Sequence, residues 1–279
     1  MQIKTNVSGK RLQLLLLCLS SCFVTVEAIA DEAMFEVQKP AISIIIDDVG
    51  YQLKSGLRAV NLQGDLTLSF LPHTPYAASL SKLAHANNKE IMLHLPMESE
   101  AGLNLGPGGL TAVMSEKEFS HVIESSIRAI PHARGFNNHM GSLLTKSQFW
   151  MQRLMHKVAR ENDLFFVDSK TTSQSVAFHA ARAEGLKSIP RDIFIDHKPS
   201  SKFINGQLQK LILIAEQNGT ALAIAHPKKL TLSILEKWLP ELKARGIQLV
   251  SVSKLISLRQ QQKLALLNLP DVNPQRSKN

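Results

Sequence analysis

Short apolar runs alternate along the chain with longer stretches in which apolar residues recur with helical period. The runs are rich in Ile, Val, Leu and Phe and are too short to be buried helices, so they are predicted to be β-strands. The predicted strands lie at 42–46, 66–70, 90–93, 134–136, 164–167, 193–195, 221–225 and 247–252. The clearest helices between them are predicted at 79–86, 116–129, 146–161, 206–217 and 231–245.

Almost continuously apolar strands with intervening helices are typical of a parallel sheet that is covered by helices on both faces. Seven or eight such units suit a closed or nearly closed barrel. The predicted fold class is therefore α/β, with a barrel as the first expectation and an open doubly wound sheet as the alternative.

The first thirty residues have the pattern of a secretory signal peptide. Lys4, Lys10 and Arg11 precede an apolar run at 12–17, and Ala-Ile-Ala at 28–30 supplies a small-x-small cleavage site. The apolar run is shorter than the roughly 20 residues that a membrane-spanning helix needs. We therefore expect cleavage after residue 30, a linker at 31–39 and a periplasmic or secreted mature protein.

An alternative for the same segment is the lipobox of a bacterial lipoprotein, which Leu-Ser-Ser-Cys at 19–22 resembles. Cleavage there would leave a lipidated Cys22, and only in that case do we expect the protein to associate with a membrane. Cys18 and Cys22 are the two cysteines of the chain. A chain cut after residue 30 would therefore carry no disulfide and no thiol chemistry.

Basic residues outnumber acidic ones, 32 Lys plus Arg against 23 Asp plus Glu, which gives a formal net charge of +9. This surplus favours encounter with anionic neighbours such as a lipid surface or an acidic envelope polymer. Aromatic residues make up only 5% of the chain, and the basic residues form no block that would indicate a DNA footprint. Nucleic acid is therefore not an expected partner.

Polar side chains follow seven of the predicted strands. A single polar residue in such a place is typical of a loop start or a helix cap. In an α/β barrel, however, the carboxyl ends of the strands meet at one rim, so these side chains are expected to share one site. No glycine-rich phosphate loop follows any strand, which argues against a nucleotide enzyme. The positions are Asp47 and Asp48, His73, 94–98, 137–139, Asp168 and Ser169, Asp196 and His197, and His226.

Two adjacent carboxylates, Asp47 and Asp48, stand at the end of the first predicted strand. Neighbouring side chains on a strand point to opposite faces unless the chain turns, and a turn at Gly50 would bring both inward. Two close carboxylates repel unless a cation lies between them or one is protonated. One metal ligand and one general base is therefore the natural division, with an Asx cap as the alternative for Asp48.

The segments I-D-D-x-G at 46–50, H-L-P-M-E at 94–98 and N-N-H-M-G-S at 137–142, in this order, resemble the polysaccharide deacetylase superfamily, and more closely its divergent bacterial branch. The resemblance covers roughly residues 40–256. It implies a distorted (β/α)7-8 barrel in a single domain, taken here as 40–258, which uses a divalent metal to hydrolyse an N- or O-acyl group of a carbohydrate. The remaining residues, 259–279, carry no motif and are expected to form a tail.

By this resemblance Asp47 is the general base and Asp48 is a metal ligand. His94 matches the first metal histidine of the family, and Glu98 stands where the family has a second one. Asp48, His94 and Glu98 would then form a mixed oxygen and nitrogen site for a divalent ion, with Zn²⁺ as the first candidate. The alternative for Glu98 is a cap or an ion pair with an arginine.

The family's Arg-x-Pro-Tyr segment is absent, and residues 135–142 stand in its place. His139 is a candidate for an additional metal ligand at the same rim. Asn137 and Asn138 are candidates for binding substrate or for orienting a ligand. The alternative is that these residues only shape the turn.

The family's last signature, apolar-x-His, is matched at 224–226. It predicts His226 as the general acid, since an imidazole titrates in the range that suits proton delivery to a leaving group; a buried structural histidine is the alternative. Asp168 and Asp196 lie at neighbouring strand ends and are candidates for orienting His226 or for contacting substrate. Weaker candidates for the same surroundings are His73, His197 and Ser169.

The sequence thus predicts a secreted, metal-dependent hydrolase of the carbohydrate deacetylase type that acts on an envelope glycan. A catalytically inactive protein of the same fold that binds envelope glycan or a protein partner is the alternative, because the second metal histidine and Arg-x-Pro-Tyr are missing. A metallohydrolase of peptides or phosphate esters would use the same rim, although no Arg or Lys near the motifs favours a phosphate.

Overall fold

The structure is a computed structural model, and it describes residues 39–267. The strands are β1 (Ala41–Val49), β2 (Thr67–Phe70), β3 (Glu90–Met97), β4 (Ala133–Met140), β5 (Phe165–Asp168), β6 (Ser188–Pro190), β7 (Ile193–Phe194), β8 (Thr220–Ala225) and β9 (Gln248–Leu249). The helices are α1 (Leu53–Val60), α2 (Ala77–Ala86), α3 (Glu116–Ala129), α4 (Gln148–Glu161), α5 (Ala177–Ala183), α6 (Ser201–Asn218), α7 (Lys229–Trp238) and α8 (Val252–Leu267), with short 3-10 turns at Leu144–Lys146 and Leu239–Glu241.

All strands of the described chain belong to one parallel sheet with the order β6-β5-β4-β3-β2-β1-β8-β7, and β9 pairs with the start of β1. The two edge strands, β6 and β7, are separated by only two residues. The first of these, Arg191, donates its backbone N–H to Asp168 on β5 (3.0 Å), and the second, Asp192, donates to Leu222 on β8 (3.0 Å). The sheet therefore curls until its edges are joined by the chain itself.

This strand order confirms the predicted barrel. An open doubly wound sheet reverses its order at a switch point, whereas here the strands run in sequence from β1 to β6 and return through β7 and β8 to β1. The described residues form a single domain of the predicted (β/α) type.

Side chains of each strand alternate between two apolar layers. On β1, Ile42, Ile44 and Ile46 face the outer layer of helices, while Ala41 and Ile45 face the barrel interior. The interior is filled by residues of β3, β5 and β8 and is closed at its amino-terminal end by α8, whose Leu255 packs there. The alternation leaves the other end of the interior to polar side chains, because Asp47 continues the inward series of β1.

Several strands differ in length from the sequence-based prediction, and β1 continues three residues beyond its predicted end at 46. Strands β3 and β4 continue four residues beyond their predicted ends at 93 and 136, because their inward polar residues bond to one another between these neighbouring strands and do not start loops. The last predicted strand, 247–252, contains only the two residues of β9, and α8 begins at Val252.

The predicted domain end at 258 falls inside α8, which continues to Leu267 with Leu264, Leu266 and Leu267 exposed. The predicted signal peptide, nearly all of the predicted linker and residues 268–279 lie outside the described residues. Within 39–267, no helix combines the length and the apolar character that a membrane crossing requires.

Candidate metal centre

The end of β1 directs both of its carboxylates into the rim of the barrel. Asp47 points inward by strand alternation and is 2% exposed. Asp48 adopts a left-handed backbone conformation (φ 57°), and the pairing of β1 with β2 shifts register between Ile46 and Val49. The turn that the sequence placed at Gly50 therefore begins at Asp48 itself, a residue type that tolerates this conformation better than most.

Three side chains from three strands converge at this rim. Asp48 Oδ1 lies 2.9 Å from His139 Nδ1 and 3.2 Å from His94 Nε2, and the two ring nitrogens lie 3.2 Å apart. These are the residues of the described chain whose ligand atoms form a group able to hold a metal ion. The structure thus brings together three of the four predicted ligands.

The donor set fits a divalent metal ion. Asp48 Oδ1 is buried beside the two imidazoles and has no hydrogen-bond partner, so it is free to bind an ion. Zinc bonds to nitrogen of about 2.0–2.1 Å place two tetrahedral ligands about 3.3 Å apart, close to the three observed separations. Two imidazoles and one carboxylate are a set that Zn²⁺ and related ions accept.

Asn137 links the histidine to the second carboxylate. Its Oδ1 accepts hydrogen bonds from Ser69 Oγ (2.6 Å) and from His94 Nδ1 (2.9 Å), and its Nδ2 donates to both oxygens of Asp47 (2.9 and 3.0 Å). The carboxylate only accepts, so the orientation of the amide is fixed by its partners. With Nδ1 donating to Asn137, His94 presents the lone pair of Nε2 to the metal triangle.

The two carboxylates have opposite electrostatic surroundings. Burial raises the pKa of Asp47 above its ordinary value, and His94, His226 and the Asn137 amide only partly offset that effect. Burial would also raise the pKa of Asp48, but the imidazoles of His139 and His94 outweigh it and hold that pKa below its usual range. Asp47 is thus the stronger base of the pair, and Asp48 stays ionised.

His226 follows β8 and forms a pair with Asp196. Its Nδ1 lies 2.8 Å from Asp196 Oδ1, while its Nε2 faces the rim at 3.7 Å from Asp48 Oδ2. Asp196 is buried and also accepts hydrogen bonds from the His226 backbone N–H and Thr231 Oγ1. Burial would lower the pKa of His226, but the hydrogen bond to Asp196 and the charge of Asp48 outweigh it and raise that pKa.

Three predicted site residues, Glu98, Asn138 and Asp168, bond to groups outside the metal triangle. Glu98 Oε2 accepts from the backbone N–H of Ala112 (2.8 Å), so its carboxylate braces the loop after β3 and is not part of the metal triangle. This differs from the expected ligand set, because β3 continues in extended form past His94 to Met97, and at about 3.3 Å per residue it carries residue 98 too far along the strand to reach the ligand atoms.

Asn138 and Asp168 bond to nearby backbone and side-chain groups away from the metal triangle. Asn138 accepts from the backbone N–H of Ser169 and donates to the carbonyl of Met140, which ties the ends of β4 and β5 together. Asp168 accepts from Ser175 Oγ (2.8 Å) and from the backbone N–H of Lys170 (2.8 Å), so it orders the turn that leads to α5.

The weaker candidates divide in the same way. Ser169 Oγ accepts a hydrogen bond from Asn137 Nδ2 (3.1 Å) and lies beside the centre. His73 is exposed and contacts Ser125, and His197 is exposed and lies against Phe203.

Arg191 is a charged residue beside the site, and its place there was not predicted from the sequence. Its Nε donates to the carbonyl of Ser169 (2.7 Å) and its Nη2 to that of Lys170 (3.1 Å). Burial lowers the pKa of this guanidinium, and the charges of Asp47 and Asp168 oppose that effect. Arg191 directly follows the short strand β6, which was not predicted from the sequence. That strand places Arg191 at the closing edge of the barrel.

Known proteins are similar to this chain over most of the described residues. The model of the divergent polysaccharide deacetylase family matches residues 44–256. The protein YibQ of Escherichia coli (strain K12) is 33% identical over 216 residues, which cover 77% of this chain and 67% of YibQ. A protein of Haemophilus influenzae (strain ATCC 51907 / DSM 11121 / KW20 / Rd) is 32% identical over 221 residues, which cover 79% of this chain and 78% of that protein.

Solved structures share the barrel. The protein ATU2773 from Agrobacterium tumefaciens C58 superposes with a TM-score of 0.74 at 24% identity, covering 78% of this chain and 89% of that one. A mutant of the peptidoglycan deacetylase PdaC from Bacillus subtilis superposes with a TM-score of 0.50 at 13% identity, covering 82% and 96%. At these identities the two structures show the fold alone. The extent of the family match and the identity to YibQ establish that this chain belongs to the divergent polysaccharide deacetylase family.

Proposed function

We propose that this protein is a metal-dependent deacetylase that removes an N- or O-acyl group from a glycan of the cell envelope. The observation that carries the proposal is the convergence of Asp48, His94 and His139 within 3.2 Å of one another, with Asp47 and His226 on the same rim. A binding protein would need no base, ligand triangle and acid at one point.

Asp48, His94 and His139 would hold the ion, with Zn²⁺ as the first candidate. A divalent ion in this place would supply Lewis acidity to the acyl oxygen and to water. Among the protein's own residues, Asn137 fixes His94 and Asp47 relative to each other.

The proton transfers fall to Asp47 and His226. Water adds to the acyl carbon as Asp47 accepts its proton, and the bond from that carbon to nitrogen or oxygen then breaks. His226 Nε2 donates the proton that the leaving amine or alcohol needs, so the products are a carboxylic acid and the free amine or alcohol. Asp196, bonded to Nδ1, positions the ring and favours its protonated form.

An envelope location is part of the proposal and rests on the basic and apolar pattern of residues 1–30. Cell fractionation of the full-length chain, with Cys22→Ser beside the parent, tests it. The mature protein is expected in the periplasm or medium in both cases. Retention of both proteins in the cytoplasm would contradict export, and a membrane fraction that is lost in Cys22→Ser would show the lipoprotein alternative instead.

The test of the proposed function separates metal binding from turnover. Asp47→Asn keeps the side-chain volume and one of the two oxygens that accept from Asn137, but it removes the base. Metal content by elemental analysis should therefore stay stoichiometric, while acetate release from N-acetylglucosamine oligomers and from O-acetylated xylan falls at least about 100-fold. Asp163→Asn changes an exposed carboxylate away from the site and serves as the control.

Two results would overturn the proposal. One is full activity of Asp47→Asn, which would remove the assigned base. The other is a parent protein that takes up no divalent ion from a metal-supplemented buffer, or that takes one up and releases no acetate from any acylated glycan; this result would favour the glycan-binding alternative.

A further inference from the structure

A groove leads away from the reacting centre between α1 and the start of α7. Asp48 and His226 form its inner end, and its volume is about 530 Å³. The side chains that line the remainder include Tyr51, Lys54, Arg58, Lys228 and Lys229. A substrate whose acyl group reaches Asp47 would therefore extend its next units along this groove.

The groove carries an excess of positive charge. Arg58 is paired with Glu236 (2.9 Å), and Lys228 Nζ donates to the carbonyl of Asp196 (3.1 Å) with the carboxylate 3.8 Å away. Lys54 and Lys229 are both exposed, and neither has a carboxylate within ion-pair distance in residues 39–267. Two ammonium groups therefore remain without a protein counter-charge along the outer part of the groove.

The backbone adds to this potential. Helices α1 and α7 both begin at the groove, after Gln52 and Lys228, and neither start has a side-chain cap. Their first N–H groups have no intrahelical acceptor, and the helix dipoles place partial positive charge at the same end. The helix starts therefore add to the positive potential of the lysines, and both features favour a negatively charged ligand.

We infer that the groove binds an anionic group, a carboxylate or a phosphate, on the part of the glycan next to the acylated sugar. The inference rests on the proposed function and gives its substrate class: an acidic glycan is preferred over a neutral one. Lys54 and Lys229 bind the anion, and Tyr51, whose side chain is half exposed, offers a ring face to the adjoining sugar.

An acidic glycan fits the groove better than an anionic membrane does. The charges line a concave passage that ends at the recessed Asp48 and His226, and a flat bilayer surface does not enter such a passage. A polymer that carries anionic groups at intervals can enter it. The negative charge of such a polymer also favours its encounter with the protein, because the chain carries a net charge of +9.

Binding of oligosaccharides to the metal-free protein tests the inference separately from catalysis. Titration calorimetry compares hyaluronan oligosaccharides, which alternate a carboxylate with an N-acetyl sugar, with neutral chitin oligosaccharides of the same length. Hyaluronan should bind at least about tenfold more tightly at low salt, and raising the salt concentration should reduce the difference. Polyglycerol phosphate is the second probe and distinguishes phosphate from carboxylate as the preferred anion.

The variant Lys54→Gln with Lys229→Gln should abolish the preference for the acidic probe and leave chitin binding unchanged. The control, Lys210→Gln with Lys243→Gln, removes two exposed lysines on other parts of the surface and should change neither. Circular dichroism of both variants checks that they are folded.

The outcomes are distinct. No preference for either acidic probe over chitin, or a preference that survives in the Lys54 and Lys229 variant, overturns the inference. Lysine-dependent binding to phosphatidylglycerol vesicles with no binding of the acidic oligosaccharides also overturns it, in favour of a membrane surface. Acetate release that is equal for neutral and acidic glycans would keep the proposed function and reject the inference. Lysine-dependent binding of acidic glycans without acetate release would keep the anion site and reject the proposed function.

Discussion

Asn137 does with one amide what neither a carboxylate nor a hydroxyl could do at its position. It donates to Asp47 and accepts from His94, so its amide couples the protonation of these two groups through hydrogen bonds. A carboxylate there would repel Asp47, and a serine would be too short to bridge both. The side chain is completely buried, so each of its bonds would be costly to lose.

The pair of Asp196 and His226 has a pH dependence whose sign follows from the two pKa shifts. The lowered pKa of Asp196 gives stability that is present above the ordinary carboxyl range and is lost as pH falls. The raised pKa of His226 gives stability that is present below the ordinary imidazole value of about 6.5 and is lost as pH rises through the folded-state value. Both contributions are present together only in the weakly acidic range.

We therefore predict that Asp196→Asn lowers the free energy of unfolding of the metal-free protein by about 1.5–3 kcal/mol near pH 5.5, as expected for loss of a charged hydrogen bond. The loss should be smaller near pH 9 and near pH 3. Urea denaturation at the three pH values measures it, and a pH-independent loss would contradict the assignment.

Asp192→Asn is the matched control for this prediction. Asp192 faces Arg259 (2.5 Å), whose guanidinium stays charged throughout this range. The stability lost in this variant should therefore not decline between pH 5.5 and pH 9. A decline of the same size in both variants would trace the effect to something other than the imidazole.

The residues of the site were predictable to the extent that strand ends and family motifs identify them. Asp47, Asp48, His94, His139 and His226 meet at one rim as the sequence analysis expected. Glu98 and Arg191 were not predictable from motif spacing. The distance of Glu98 from His94 depends on how far β3 stays extended, and Arg191 reaches the site from the other edge of the curled sheet.

At the scale of elements, the helix and strand types were largely predictable because the periods of 3.6 and 2 are clear in most segments. Helix α3 has the predicted bounds, which its capping box of Ser115 and Glu118 explains. The ends of β3 and β4 were not predictable, because an inward polar residue inside a barrel and a polar residue in a loop look the same in one sequence.

Residue 135 on β4 has no side chain, which leaves room for the ring of Phe165 on the paired strand β5. A Cβ at Gly135 would lie 2.3 Å from Cε2 of Phe165, whose ring fills the barrel interior there. We predict that Gly135→Ala lowers the free energy of unfolding by about 1–3 kcal/mol, because the ring must leave its packed position. Chemical denaturation of the purified variant measures this loss.

Gly206→Ala provides the opposite case within the same fold. Gly206 lies on the exposed side of α6, and a Cβ there meets no atom within 4 Å. Alanine is the better helix former, so this variant should gain about 0.5–1 kcal/mol in the same denaturation experiment. Equal effects of the two substitutions would contradict the packing argument for β4.

For the whole molecule, the metal triangle joins parts of the barrel that are distant in sequence. Asp48, His94 and His139 belong to β1, β3 and β4, and α8 closes the opposite end of the same interior. The ligand atoms come together only when these strands are in register. An ion that binds the folded chain and not the unfolded chain must therefore stabilise the whole barrel.

We predict that Zn²⁺ at 100 times its dissociation constant raises the free energy of unfolding by about 2.7 kcal/mol, and the midpoint of thermal unfolding by about 5–10 °C, after chelator treatment. His94→Ala should abolish this shift. His85→Ala is the control, because His85 stacks on His132 (4.0 Å) outside the triangle and offers the other close histidine pair. A shift that persists in His94→Ala and is lost in His85→Ala would move the metal site to that second pair, and with it the reacting centre of the proposed enzyme.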